Sequence, residues 1–200
     1  MTDPASPSSA SAVTALDLGP DAPRDGKLED YFATCEEKLG YVPNVLQAYA
    51  FDATKLAAFI AMADDLMLGD SGLSRLEREM IAVAVSALNH CHYCLTAHGA
   101  AVRYRSGDPA MGDKISHNWR AADLPARQQA LLAFAEKLTE HPGKITDEDR
   151  QVLRDVGFSD RDIWDIAAVA GFYNMTNRLA SATEMVPNTE YFSAFRGTPD

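Results

Sequence analysis

One stretch constrains the fold more than any other: residues 74–103, SRLEREMIAVAVSALNHCHYCLTAHGAAVR. Ser74 can cap a helix, and Glu77 three residues later completes a capping box. Beyond the first turn the segment from Arg75 to about Asn89 is apolar nearly all round, the pattern of a core helix. No segment of the chain alternates with strand period over a useful length, so no sheet is expected. The chain is read as all-α, a bundle of about eight or nine helices.

The remaining segments agree. Leu28, Tyr31, Phe32, Cys35 and Leu39 fall near one face of a helix over residues 26–39, and Gly40 stops it. Pro43 suits the start of a short helix to about Ala50. Asp52 can cap a helix from Ala53 to about Leu68, which the Gly-Asp-Ser-Gly run at 69–72 breaks. Past the central stretch, Gly107-Asp108-Pro109 marks a turn, and a short helix to about Trp119 follows. Leu124-Pro125 opens a helix with an apolar stripe at Leu131, Leu132, Phe134, Ala135 and Leu138. Thr146 with Asp149 and Ser159 with Asp162 read as two more capping boxes, the last opening a helix to about Thr183.

Ser159 to Val169 echoes Ser74 to Ala84, which fits a duplicated all-helical unit. The second copy has Tyr173, Asn174 and Asn177 in place of cysteines; Asn174, Asn177 and Arg178 either line the pocket or satisfy helix ends, and the structural role is favoured. The expected organisation is an arm over 1–26, a single domain over 27–195 and a tail over 196–200. Within the domain an active half would span about 28–107 and a structural half about 111–185. The arm is rich in Pro, Ser, Ala and Asp and lacks the basic and apolar regions of a targeting signal. Tyr191, Phe192 and Phe195 near the end suggest packing on a neighbouring subunit, hence a homo-oligomer.

Charge and cysteine count narrow the function. A net charge of −11 argues against nucleic acid and anionic membranes as partners. The longest apolar run, residues 80–88, is too short to span a membrane. Three cysteines are too few for a disulfide scaffold; one CxxC pair plus the odd Cys35 suits a reducing, cytoplasmic compartment. Cys35 reads as a bystander.

The chemistry gathers in the central stretch. Cys91 and Cys94 form the CxxC pair, His98 follows four residues on, and Glu79 precedes Cys91 by twelve. Cys91, Cys94 and His98 fall on one face of a helix that starts near Cys91 after a break at Asn89-His90. A helix start favours a thiolate on Cys91, whereas the imidazole within reach favours Cys94. Glu79 shares a stripe with Val83, Ser86 and His90; it is either desolvated in the core or paired at the surface with Arg75 or Arg78. Three uses of the cluster compete: thiol redox chemistry, a zinc site with Glu79 or His92 as fourth ligand, and plain packing. Two thiols with an imidazole and a carboxylate at these spacings favour redox chemistry over a closed four-ligand metal shell.

Glu79, eleven residues, Cys91-x-x-Cys94, three residues, His98 resembles the alkyl hydroperoxidase D signature of the carboxymuconolactone decarboxylase superfamily. Gly40-x-x-Pro43-Asn44, FAEKLT at 134–139, Ile145-Thr146 with Asp149, and GFYNMTNRL at 171–179 resemble its peroxidase-related branch. The resemblance covers about residues 27–191. It implies a peroxidase or disulfide oxidoreductase in which His98, backed by Glu79, deprotonates Cys94. Cys94 would attack a small hydroperoxide, Cys91 would close the disulfide, and an external dithiol would reduce it, with no metal, flavin or haem cofactor. A decarboxylase acting on a small lactone acid and a non-catalytic redox-sensing or metal-binding module are the other readings. Well-studied members carry a histidine directly before the second cysteine. Here that place is Tyr93, a poorer proton relay at neutral pH.

Overall fold

The computed structural model describes residues 13–197. These hold ten α-helices and two short 3-10 turns, with no strand among the described residues. The helices are α1 (Gly26–Leu39), α2 (Asn44–Tyr49), α3 (Ala53–Leu68), α4 (Arg75–Leu88), α5 (His92–Ser106), α6 (Met111–Asn118), α7 (Ala126–Glu140), α8 (Asp147–Asp155), α9 (Asp160–Ala182) and α10 (Glu190–Ser193). The all-α expectation holds. The tenth, α10, is a single four-residue turn without a periodic pattern, which is why periodicity gave eight or nine.

Local signals set the boundaries. The three capping boxes form, at Ser74/Glu77, Thr146/Asp149 and Ser159/Asp162. Asp52 caps α3 by accepting from the Thr54 and Lys55 amides. α1 ends on Gly40 and α5 on Gly107, at φ 81° and 67°, a left-handed conformation that costs glycine little.

α4 is the axis of the bundle, packed by α3, α5, α6, α7 and α9. Residues 77 to 86 are buried without interruption. Met80, Ile81, Val83 and Val85 are at most 1% exposed, each contributing roughly 1.5–3 kcal/mol by its transfer from water. Three charged residues near the start of this helix, Glu77, Arg78 and Glu79, lie in the core too, while Arg75 is exposed. Glu77 accepts from Arg127 Nε at 2.8 Å, and Arg78 donates to the carbonyls of Leu66, Gly69 and Leu73. Arg78 thereby satisfies free carbonyls at the end of α3 and in the loop before α4, while Glu79 is met by other partners.

The chain ends close on the same core. Of the arm expected over 1–26, residues 1–12 lie outside the described residues. From residue 13 the chain is tied by Ala15 N–H to the Thr183 carbonyl and Ala22 N–H to the Ala50 carbonyl. Of the expected tail, residues 198–200 lie outside the described residues. Arg103, 3% exposed, donates to the carbonyls of Tyr191 and Ala194 and so fastens α10 to α5. The Tyr191 ring meets Tyr41 edge-on, and Phe192 and Phe195 lie half-exposed beside His92 and Tyr104.

α5 and α6 touch backbone to backbone. A Cβ added at Gly112 would sit 2.6 Å from the Gly99 carbonyl oxygen. Gly112→Ala should therefore force the helices apart and cost about 1–3 kcal/mol. Thermal unfolding should show a loss of several degrees in Tm. An unchanged Tm would mean that the two helices separate freely.

Candidate active site

The site forms where α4 turns into α5. Asn89 ends α4, His90 takes φ 53°, and Cys91 begins α5 from the N-cap position. The Cys91 N–H reaches back to the Ser86 carbonyl at 3.0 Å, which holds the turn tight. Both CxxC thiols are free and buried, Cys91 at 1% and Cys94 at 4% exposure.

The two sulfurs share a proton unequally. The Cys94 thiol hydrogen-bonds the Cys91 sulfur and holds Cys91 down to about 6, against burial; the Cys94 amide, Ser181 and Asn177 add to the effect. The same hydrogen bond, reinforced by burial, pushes Cys94 well above the ordinary thiol range, with Asn177 and Ser86 opposing. Both shifts favour negative charge on Cys91 over Cys94.

Glu79 is 8% exposed, and its Oε2 lies 2.7 Å from His98 Nδ1. The surface pairing with Arg75 or Arg78 is thereby replaced by a buried contact with the imidazole. A carboxylate at Nδ1 fixes the proton there and leaves Nε2 as the acceptor. Arg105 Nε stands 3.9 Å from the other Glu79 oxygen. The Tyr173 ring meets His98 edge-on with centroids 4.7 Å apart, its hydroxyl 3.5 Å from Nδ1.

Cys94, His98 and Glu79 line one cavity of about 280 Å³. Its walls are mostly apolar, with Leu46, Tyr49, Phe59, Met67 and Phe172 among them. No Lys or Arg is among its lining residues. Cys91 faces a different cavity, with His90, His92, Ser181 and Phe192. Among the described residues no three His, Cys, Asp or Glu side chains come together as a metal site, so the ligand set weighed from sequence does not converge.

The residues left open by the sequence find places. His90 and His92 are both exposed. Cys35 is half-buried and lines the Cys94 cavity from α1, so it is a neighbour of the site. Tyr93 is a clamp: the Val45 N–H donates to its hydroxyl at 2.9 Å, satisfying a free amide at the start of α2. Burial raises both Tyr93 and Tyr173 far above neutral pH, so neither relays protons there by ionising.

Asn174, Asn177 and Arg178 read from sequence either as pocket residues or as groups satisfying helix ends, with the structural role favoured, and Asn177 belongs to the site. Asn177, fully buried, donates to Ser86 Oγ at 2.9 Å and accepts from Asn89 at 3.0 Å, and it also acts on both sulfurs. The site therefore draws on both halves of the chain. The signal was present in two places. Ser86 follows Glu79 by seven residues on the same stripe, and Asn177 stands with Asn174 and Thr176 in the segment after the apolar run of the last long helix.

The thiol pair has a pH signature. Folded Cys91 releases its proton near pH 6, and an ordinary thiol does so at 9.0. Between those values the folded chain binds fewer protons, so this group makes stability rise with pH. Above pH 9 the raised Cys94 reverses the slope. Thiolate absorbance near 240 nm should show one step per chain around pH 6, lost in Cys91→Ser. The absence of any step below pH 8 would overturn the assignment.

The model of the carboxymuconolactone decarboxylase family matches residues 53–137. A peroxidase-related protein from Silicibacter sp. TM1040, known from its crystal structure, is 58% identical, covering 98% of this chain and 100% of its own, with a TM-score of 0.89. A peroxidase-related protein from Ralstonia eutropha JMP134, described as an alkylhydroperoxidase AhpD core, is 38% identical over 95% of this chain and 100% of its own, with a TM-score of 0.90. YdfG of Bacillus subtilis is 26% identical over 114 residues, 56% of this chain and 76% of that protein. With the helical fold and these full-length likenesses, the chain belongs to the carboxymuconolactone decarboxylase and alkyl hydroperoxidase D superfamily, beside its peroxidase-related members.

Proposed function

We propose that the protein is a thiol-dependent hydroperoxide reductase, or a disulfide oxidoreductase of the same chemistry, that cycles Cys94 and Cys91 through a disulfide. One observation carries the reading: Cys94, the second cysteine of the CxxC pair, lines a single apolar cavity with the Glu79–His98 pair. The peroxidase-related names of the similar proteins point the same way.

The steps balance as follows. His98, oriented by Glu79, takes the Cys94 proton at Nε2. The Cys94 thiolate attacks the distal oxygen of a hydroperoxide ROOH. The O–O bond breaks, Cys94 becomes a sulfenic acid, and His98 returns a proton to the leaving RO⁻. The Cys91 thiolate then displaces hydroxide from the Cys94 sulfur, which leaves as water after protonation. An external dithiol reduces the disulfide and is itself oxidised. The partners are thus a small hydroperoxide and a dithiol reductant, and the setting is a reducing cytoplasm.

Cavity charge weighs against a decarboxylase acting on a lactone acid. Glu79 and Asp64 are both carboxylates, and no lining Lys or Arg would balance an acidic substrate.

Thiol titration tests the cycle. One equivalent of hydroperoxide should remove two thiols per chain, and dithiol should restore them while Cys35 stays free. Cys94→Ser should abolish peroxide consumption, and Cys91→Ser should stall after one event as a sulfenic acid trapped by dimedone. Full activity in both variants would rule the cycle out.

Glu79→Gln keeps the shape and removes the charge that fixes the His98 tautomer. Turnover should fall by about 10²-fold, the low end for loss of a positioned acid–base group, with the helical circular dichroism unchanged. Normal turnover would take Glu79 out of the chemistry.

A further inference from the structure

We propose that the Cys94 cavity takes neutral or cationic organic peroxides, whose apolar body carries a hydrogen-bond donor to Asp64, and rejects peroxides that carry a carboxylate. The inference rests on the reading of this cavity as the peroxide site and adds the class of substrate.

Size is the first ground. Hydrogen peroxide is little larger than water, which occupies about 30 Å³ in the liquid. The cavity holds about 280 Å³. Attack at Cys94 needs only the peroxide oxygens beside His98. The remaining volume is walled by Tyr49, Phe59 and Phe172, stacked in sequence with centroids 4.6 and 5.8 Å apart, together with Leu46 and Met67. Such walls are complementary to an apolar body, aromatic or branched.

Charge is the second. The cavity has two polar poles on different helices. Glu79, Cys94 and His98 come from α4 and α5, and Asp64 with Tyr31 comes from α3 and α1. Glu79 is engaged by His98 at 2.7 Å. Asp64 is not matched in this way. The Tyr31 hydroxyl donates to its Oδ1 at 3.0 Å, and among the described residues no side chain or amide donates to its Oδ2. A half-buried carboxylate gains from any further donor that reaches it. No Lys or Arg lines the walls, and Glu79 already has His98 and Arg105 beside it, so a ligand carboxylate directed at the Asp64 pole would meet a like charge with no lining cation to balance it. An ammonium or hydroxyl group placed toward Asp64 meets the opposite situation. The field of Asp64 is felt by its neighbours: Tyr31 and Cys35 are both raised, by burial first and by Asp64 second.

A matched set of non-reacting probes isolates this selection from turnover. 4-Isopropylbenzylamine, 4-isopropylbenzyl alcohol and 4-isopropylbenzoate share one body and differ in charge at one end. Calorimetric titration of the reduced protein at pH 7.5 should show the amine and alcohol binding, with the benzoate at least tenfold weaker than the alcohol. Asp64→Asn, which is isosteric, should weaken the amine by about tenfold and narrow the gap between alcohol and benzoate. Equal affinities for the three, benzoate binding tightest, no binding by any, or unchanged affinities in Asp64→Asn would each overturn the proposal. Peroxide consumption is a separate readout. A protein that binds the probes in this order but consumes no cumene hydroperoxide keeps its charge selection and loses the peroxidase reading.

Discussion

Three consecutive charges are buried in the first turn of α4, and the arrangement around them follows from their need for partners. Glu77, Arg78 and Glu79 are 5%, 3% and 8% exposed. A charge taken out of water costs several kcal/mol unless it is paired and hydrogen-bonded. Each finds its partner on a different side. Arg127 brings α7 to Glu77, the carbonyls at the end of α3 hold Arg78, and His98 brings α5 to Glu79. One tripeptide thus fixes three neighbouring helices around the central one. Glu79 serves the fold and the imidazole with the same carboxylate.

α9 completes what α4 begins. Its own capping box starts a helix of 23 residues that runs along the core and delivers Tyr173, Thr176 and Asn177 to the site. Asn177 links the end of α4 to the sulfurs, and Asn174 accepts from Asn89 at the turn between α4 and α5. A break in that turn would disturb Cys91 and the α9 contacts together. Tyr93 adds the third tie, to α2, and two asparagines finish it. The Asn44 N–H donates to Asn188 Oδ1 at 2.7 Å, and Asn188 Nδ2 donates to the Val42 carbonyl at 3.1 Å. The walls of the cavity are therefore pinned by hydrogen bonds between segments more than 140 residues apart.

What could be read in advance was what is local. Capping boxes, glycine stops and the apolar run from Met80 depend on neighbours within a turn or two, so the elements and the all-α class were legible. So was the shared face of Cys91, Cys94 and His98. Contacts between helices were not. Glu79 stood between the core and Arg75 or Arg78, because periodicity places a residue on a face and cannot say which helix covers it. Asn177 and Ser181 act on Cys91 from almost ninety residues away, and no spacing rule joins them. Tyr93 looked like a missing histidine; only the Val45 amide explains why a hydroxyl is useful there.

The proposed division of labour between the sulfurs rests on two features that pull apart. Electrostatics puts the resting negative charge on Cys91, at the start of α5 with Ser181 and Asn177 beside it. Geometry gives the apolar cavity and the Glu79–His98 pair to Cys94. A single proton between the two sulfurs reconciles them. Held on Cys94 at rest, it protects that sulfur from stray oxidation, since a thiol is a far weaker nucleophile than a thiolate. Its transfer to His98 would expose the nucleophile only on the side where the cavity receives a ligand. The Cys91 thiolate, on the other side of the pair, is then already charged for the second step and needs no base of its own. The low value at Cys91 thus suits the resolving thiol of the proposed cycle as well as it would suit an attacking one, and it is the cavity on the Cys94 side that supports the proposed assignment.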